Sequence, residues 1–214
     1  MPRVSAKICG LSTAQAIDAA LKGEASHLGF VFFAPSPRNL AFDKAAALAW
    51  RVPDHVAKVG VFVDPDNALL EAATTMVGLD AIQLHGAETP ARVAEVRRKF
   101  GIEVWKALPI RTRADLDSAA RFASAADRLL YDAKTPEGSH LPGGMGVRFD
   151  WKLLDGFAHP LPWALSGGLD AGNVAQAVRT TGAPLVDVSS GIESAPGVKD
   201  VDKIAAFLTV VGKL

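Results

Sequence analysis

The stretch Ser166-Gly167-Gly168-Leu169-Asp170 decides how the chain is read. An apolar run, Leu161 to Leu165, precedes it, and Asn173, Ala177 and Val178 begin a helical pattern after it. A strand that breaks on two glycines and passes into a helix presents bare backbone N–H groups at a positive helix end, a geometry that holds phosphate. Taken alone, a serine and two glycines in that position also make an ordinary turn. A second turn of the same kind, Ser189-Ser190-Gly191, follows one strand–helix unit later. Turns on neighbouring strands can converge on one anion.

Outward from this stretch the same alternation repeats. Strands are expected at Arg3 to Ile8 (ending on Cys9-Gly10), Leu28 to Phe33, Val59 to Val63 and Ala81 to Leu84 (ending on His85-Gly86). Others are expected at Glu103 to Leu108, Arg128 to Tyr131 (ending on Asp132), Pro162 to Leu165 and Pro184 to Val188. Leu28 to Phe33 is continuously apolar, the mark of a strand covered on both faces. The loop Ala34-Pro35-Ser36-Pro37-Arg38 after it is kept out of both neighbouring elements by its prolines. Helix starts are expected at Ser12 or Thr13, at Asp43, at Asp64-Pro65 and at Thr89-Pro90, where side-chain oxygens or an early proline suit a first turn. A helix near Arg113 to Phe122 and a last one marked by Val201, Ile204, Ala205 and Leu208 continue the series. Eight apolar runs alternating with eight helical segments imply parallel strands joined by right-handed crossovers. The expected fold is α/β: a single (β/α)8 TIM barrel with parallel strands, one domain over residues 1–214.

Composition limits the function. The chain is 49% hydrophobic and 21% charged, enough apolar content for a large core. Its formal net charge is zero, so nothing global favours nucleic acid or an anionic membrane, and an anion site must be built locally. The single cysteine excludes an internal disulfide and any CxxC motif, and fits a reducing, cytoplasmic setting. The first ten residues read as strand rather than signal peptide, and no apolar run approaches the ~20 residues that span a bilayer.

In a barrel, chemistry sits at the carboxyl ends of the strands. The polar residues expected there are Cys9, Arg38, Asp64, His85, Asp132, Ser166, Asp187 and Ser189. A free thiol ionises near ~8.5 and serves as base or nucleophile where its surroundings lower that value; otherwise it is a small buried hydrophobe. Asp132 ends a buried strand, where desolvation favours the protonated carboxyl that a general acid needs. One proton donor and one acceptor suit enolisation, in which carbon loses a proton while an oxygen gains one. Arg38 offers a planar fork matched to a carboxylate. His85 suits acid, base or hydrogen-bond donor. There is no HExxH, Walker A, GxGxxG or GxSxG motif and no zinc-ligand spacing. The longest connection follows the sixth run. Its surplus, Ala133 to Arg148, contains Thr135-Pro136-Glu137-Gly138 and Gly143-Gly144-Met145-Gly146, and residues 133–149 read as a mobile lid.

Several blocks together resemble the phosphoribosylanthranilate isomerase family. They are Lys7-Ile8-Cys9-Gly10, Gly29-Phe30-Val31-Phe32 with Ser36-Pro37-Arg38, Val59-Gly60-Val61-Phe62-Val63, Gln83-Leu84-His85-Gly86 and Leu129-Leu130-Tyr131-Asp132. Gly143-Gly144-Met145-Gly146 with Phe149-Asp150-Trp151, Leu165-Ser166-Gly167-Gly168-Leu169 and Asp187-Val188-Ser189-Ser190-Gly191-Ile192-Glu193 complete the set in family order. Met145, Tyr131 and the stretch Gly138-Ser139-His140-Leu141-Pro142 depart from the usual family pattern.

The resemblance implies an Amadori rearrangement of N-(5′-phosphoribosyl)anthranilate in tryptophan biosynthesis. It implies Cys9 as general base and Asp132 as general acid, Arg38 on the anthranilate carboxylate, and His85 and Asp187 close to the substrate. Gly167, Gly168, Ser190 and Gly191 would bind the phosphate. No metal or cofactor is implied. The expected partner is a small phosphorylated molecule, bound by a monomer or homodimer; nucleic acid and membrane are not expected. Indole-glycerol-phosphate synthase and ribulose-phosphate epimerase would share the phosphate turns, but their strand-end lysine and glutamate or metal-binding histidines are not evident. A non-catalytic sugar-phosphate binder would need the turns and Arg38 but neither Cys9 nor Asp132.

Overall fold

The computed structural model describes residues 3–135 and 143–214. Eight parallel strands close into a barrel in chain order: β1 (Ser5–Cys9), β2 (His27–Phe32), β3 (Ala57–Phe62), β4 (Ala81–Leu84), β5 (Glu103–Ile110), β6 (Arg128–Ala133), β7 (Trp163–Leu165) and β8 (Leu185–Val188). β1 pairs with both β2 and β8, which seals the ring and sets Lys7 between His27 and Asp187. The expected strands are all present.

Between strands run α1 (Ala14–Lys22), α2 (Phe42–Ala49), α3 (Asn67–Val77), α4 (Pro90–Phe100), α5 (Arg113–Asp117) and α6 (Val174–Thr181), with α7 (Val201–Val211) after β8. The two faces of each strand serve different cores. Val59, Ala81, Trp105, Ala107, Leu130, Ala164 and Leu185 form one buried cluster inside the barrel. Ile8, Leu28, Phe30, Phe62, Ile82 and Leu129 belong to the larger core shared with the helices. Among the described residues, no helix is long and apolar enough to cross a membrane.

Thr13 caps α1, accepting from the Ala16 N–H at 3.3 Å, and Thr89 caps α4 with Pro90 in its first turn. Two helix starts differ from expectation. α2 begins after Ala41 with no side-chain cap, and Asp43 lies inside its first turn. α3 is capped by Asp66, whose carboxylate accepts from Leu69 N–H at 2.8 Å. Asp64 instead takes a left-handed backbone, φ 46°, and ties two loops together: its N–H donates to Glu88 and its carboxylate accepts from Ala87 N–H. α6 starts where expected, with Asn173 at its cap and Val174 its first residue, which leaves the two glycines in a loop rather than at the helix terminus itself.

The helical segment expected between β6 and β7 is reduced. Between β6 and β7 the described residues hold only a 3-10 turn, Trp151–Leu154, and α5 gives way to another at Ser118–Phe122. After β8 the chain adds a small antiparallel hairpin, β9 (Glu193–Ala195) and β10 (Val198–Lys199), with Pro196-Gly197 at its tip.

Candidate active site

The carboxyl ends of the strands surround a cleft of about 830 Å³ that opens to solvent. Cys9, Arg38, His85, Asp132, Ser166, Gly167, Gly168, Asp187, Ser189 and Ser190 all line it. Residues from six strands and their loops thus meet at one mouth. Gly191 and Asp64 are not on the lining. Gly191 packs against the Leu169 carbonyl, where any Cβ would collide, and this nests the second turn against the first.

Cys9 ends β1 and is 6% exposed; with Val31, Val61 and Phe33 it makes an apolar wall. Burial pushes its thiol above the ordinary value, while the Lys7 ammonium pulls the other way. Asp132, near the end of β6, is 5% exposed. Its Oδ1 accepts from Ala133 N–H at 2.9 Å, and its Oδ2 lies 3.1 Å from His85 Nε2. His85 Nδ1 is in turn 3.0 Å from Gln83 Nε2. A chain of side chains, Gln83–His85–Asp132, therefore holds one carboxylate oxygen in place at the cleft surface.

Arg38 is already gripped. Its Nε and one terminal nitrogen donate to Glu193 at 2.7 and 2.8 Å, and that terminal nitrogen also meets the Gly144 carbonyl at 3.0 Å. Glu193 takes a third hydrogen bond from Lys199 at 2.7 Å. Burial opposes the Glu193 charge, yet the Arg38 and Lys199 donors overcome it and hold the carboxyl below its usual range. Two cations on one anion leave a net positive charge, with the guanidinium edge at the cleft.

The loop that returns before β7 passes close over these groups. A Cβ on Gly143 would sit 2.5 Å from Asp132 Oδ2 and 2.8 Å from His85 Nε2, and one on Gly144 would sit 2.7 Å from an Arg38 nitrogen. Only glycine permits that approach. Residues 136–142, which include much of the expected lid and the stretch Gly138-Ser139-His140-Leu141-Pro142, lie outside the described residues.

Opposite, Gly167 and Gly168 have φ of 93° and 61°, left-handed values that glycine adopts without strain. Among the described residues, no backbone oxygen accepts from their N–H groups. Successive left-handed residues aim their N–H groups into one concavity that suits an anion. Arg148 is pinned beside this turn by hydrogen bonds to Gly168 O at 3.0 Å and Asp170 Oδ2 at 2.9 Å.

An anion cradle at one end, a guanidinium at the other, and a sulfur and a carboxyl between them match the motif resemblance. A family model for N-(5′-phosphoribosyl)anthranilate (PRA) isomerase matches residues 6–210. The chain belongs to the phosphoribosylanthranilate isomerase family. The N-(5′-phosphoribosyl)anthranilate isomerase of Zymomonas mobilis subsp. mobilis is 57% identical over 209 residues, 97% of this chain and 98% of that protein. That of Paramagnetospirillum magneticum is 54% identical over 205 residues, 96% of this chain and 95% of that one. The crystal structure of the Thermotoga maritima isomerase superposes with a TM-score of 0.89 at 32% identity, covering 99% of this chain and all 100% of that one. An isomerase in complex with reduced 1-(o-carboxyphenylamino)-1-deoxyribulose 5-phosphate superposes at 0.86, with 30% identity over 99% of this chain and 100% of that one. The barrel expected from sequence is the fold shared with these isomerases.

Four further residues support the site without a role expected from sequence: Lys7, Gln83, Glu193 and Lys199. Lys7 and Gln83 carried a signal: each is a polar side chain inside an otherwise apolar strand, and each is 1% exposed or less. Glu193 and Lys199 depend on the β9–β10 hairpin, which only the Pro196-Gly197 pair hints at.

Proposed function

We propose that this chain, acting as one barrel domain over residues 1–214, catalyses the Amadori rearrangement of N-(5′-phosphoribosyl)anthranilate to 1-(2-carboxyphenylamino)-1-deoxyribulose 5-phosphate. The observation that carries the reading is the meeting of Cys9 and Asp132, distant in sequence, on one cleft between a guanidinium and a pair of glycine turns. Asp132 protonates the furanose ring oxygen, and the C–O bond breaks to give an open-chain Schiff base. The Cys9 thiolate takes the proton from ribose C2; the C–H electrons form the C1=C2 bond of an enol amine as the C=N electrons return to nitrogen, and tautomerisation, in which C1 gains a proton and the C2 hydroxyl loses one, gives the ketose. Arg38, held by Glu193, orients the anthranilate carboxylate, and the wall of Val31, Val61 and Phe33 suits the aromatic ring. The N–H groups at Gly167, Gly168 and Ser190 hold the phosphate, with Gly191 shaping the second turn from behind. Fixing both ends leaves the sugar between base and acid, which is where orientation lowers the barrier.

His85 and Asp187 face the substrate from the cleft lining and also hold neighbours: His85 braces Asp132, and Asp187 holds Lys7. The same reading places the enzyme in the cytoplasm as a monomer or homodimer. Monomers of the dimeric Thermotoga maritima isomerase superpose on this chain with a TM-score of 0.85. The direct test is fluorescence of the anthranilate adduct with purified protein in catalytic amount. Signal loss with formation of the ketose product is expected; an unchanged signal overturns the assignment.

A further inference from the structure

Lys7 is a buried charge that the reaction as described leaves idle. It is 0% exposed on a strand interior, and lysine is almost never fully enclosed without a partner. Its Nζ donates to Asp187 Oδ1 at 2.8 Å, and Asp187 Oδ2 accepts from Ser166 Oγ at 3.3 Å. Asp187 therefore fixes where the ammonium lies. Lys7 and Cys9 are two residues apart on β1, so both point to the same side of the strand.

The neighbouring strand makes room for them to approach. Gly29 pairs with Cys9 across β1 and β2. A Cβ there would lie 2.8 Å from Cys9 Sγ and 3.1 Å from Lys7 Nζ. The missing side chain is the space that the sulfur and the ammonium share. A lysine ammonium has three protons to place. Asp187 takes one, and the sulfur is the adjacent group able to take another once it is ionised.

We infer that Lys7, held by Asp187, is the positioning residue that stabilises the thiolate form of Cys9 beneath the substrate. The inference rests on Cys9 being the base of the proposed reaction. Among the described residues, the other ionisable groups near the sulfur are Asp187 from β8 and Lys199 from β10, with Arg38 from the loop after β2 and His85 and Asp132 lining the same cleft. Lys199 and Arg38 are both drawn onto Glu193. On the Cys9 side of the cleft, Lys7, Asp187, Arg38, Lys199 and Glu193 leave one positive charge over, which a thiolate cancels. Burial holds the thiol up, Lys7 draws it down, and Asp187 partly offsets Lys7.

Cys9 is the chain's single cysteine, so its titration can be read directly from the pH dependence of alkylation by iodoacetamide. In Lys7→Met the alkylation midpoint should rise by about one pH unit or more, because the nearest cation is gone. In Asp187→Asn it should fall, because Lys7 then acts on the sulfur alone. Lys7→Met strands a buried carboxylate and is the variant at risk of misfolding, so Lys7→Met/Asp187→Asn removes both charges. Its midpoint should still lie above that of the unmodified chain. Midpoints that stay put, or that move the same way in Lys7→Met and Asp187→Asn, overturn the inference. The ascending limb of kcat/KM against pH should follow the alkylation midpoint in each variant. If alkylation shifts as stated and the limb does not, Lys7 controls the thiol but Cys9 is not the base, and it is the proposed reaction that fails.

Discussion

At the residue scale each group of the proposed site is paired with a neighbour that fixes it. Asp132 is fixed by Ala133 N–H on one oxygen and by His85 on the other. Replacing Asp132 with Asn keeps the shape and removes the transferable proton, so kcat should fall by about 10²–10⁴-fold, the usual worth of a general acid. Steady-state turnover by the fluorescence assay checks this. Arg38 is fixed by Glu193, and the bidentate geometry leaves it little freedom to lose on binding. Arg38→Ala should mainly raise KM, since the proposed grip on a carboxylate would be made in ground and transition state alike. Glu193→Gln should raise KM less, by letting the guanidinium wander. An unaltered KM in Arg38→Ala would remove that residue from the site.

Much of this was legible in the sequence. Cys9, Arg38, His85, Asp132 and Asp187 each stand at or just past a strand end, where a barrel places chemistry, and each reaches the cleft. What sequence alone does not show is which cation meets which anion. Arg38 and Glu193 are joined only because the hairpin after β8 folds back, and a two-residue strand such as β10 has too little pattern to be read. Asp64 misled for a related reason. An aspartate before a proline suits a cap, but here Asp66 also suits one, and the left-handed turn at Asp64 moves the helix start along the chain.

At the scale of elements, the loops at the carboxyl end are held by buried ion pairs as well as by strand pairing. Lys106 on β5 reaches Glu88 at 2.7 Å and the Gly86 carbonyl at 2.7 Å. Glu88 also accepts the N–H groups of Asp64 and Gly86. One lysine and one glutamate, both nearly enclosed, thus fasten the turns after β3 and β4, and the second of these carries His85. Lys106→Met leaves Glu88 buried and unpaired and should cost about 3–5 kcal/mol. Urea unfolding followed by far-UV circular dichroism checks this; an unshifted midpoint would mean that the turns are held by their backbone alone. The strands were legible because their apolar runs are continuous. The segment between β6 and β7 was not, because a 3-10 turn of four residues, Trp151–Leu154, leaves almost no periodicity to find.

At the scale of the molecule, two histidines tie stability to pH. His27 packs edge-on to Trp105, and His159 stacks on Trp163 at 4.1 Å. Burial lowers both to about 4, with Arg128 and Lys7 adding to the effect at His27. An unfolded chain binds those protons near 6.5, so between about pH 6.5 and about pH 4 the unfolded state holds more protons than the folded one. Stability from these two sites is therefore complete above that window and is lost as pH falls through it. The urea midpoint should drop between pH 7 and pH 5, and His159→Gln should flatten the drop.

The central claim is that Cys9 and Asp132 act as one unit on one substrate. The most direct measurement is kcat for Cys9→Ala, Asp132→Asn and the double variant in the same fluorescence assay. Each single change should cost about 10²–10⁴-fold, and the double variant should be scarcely slower than the worse single, because residues acting as a unit are not additive. Near-normal turnover in Cys9→Ala, or losses that simply multiply in the double variant, would contradict it.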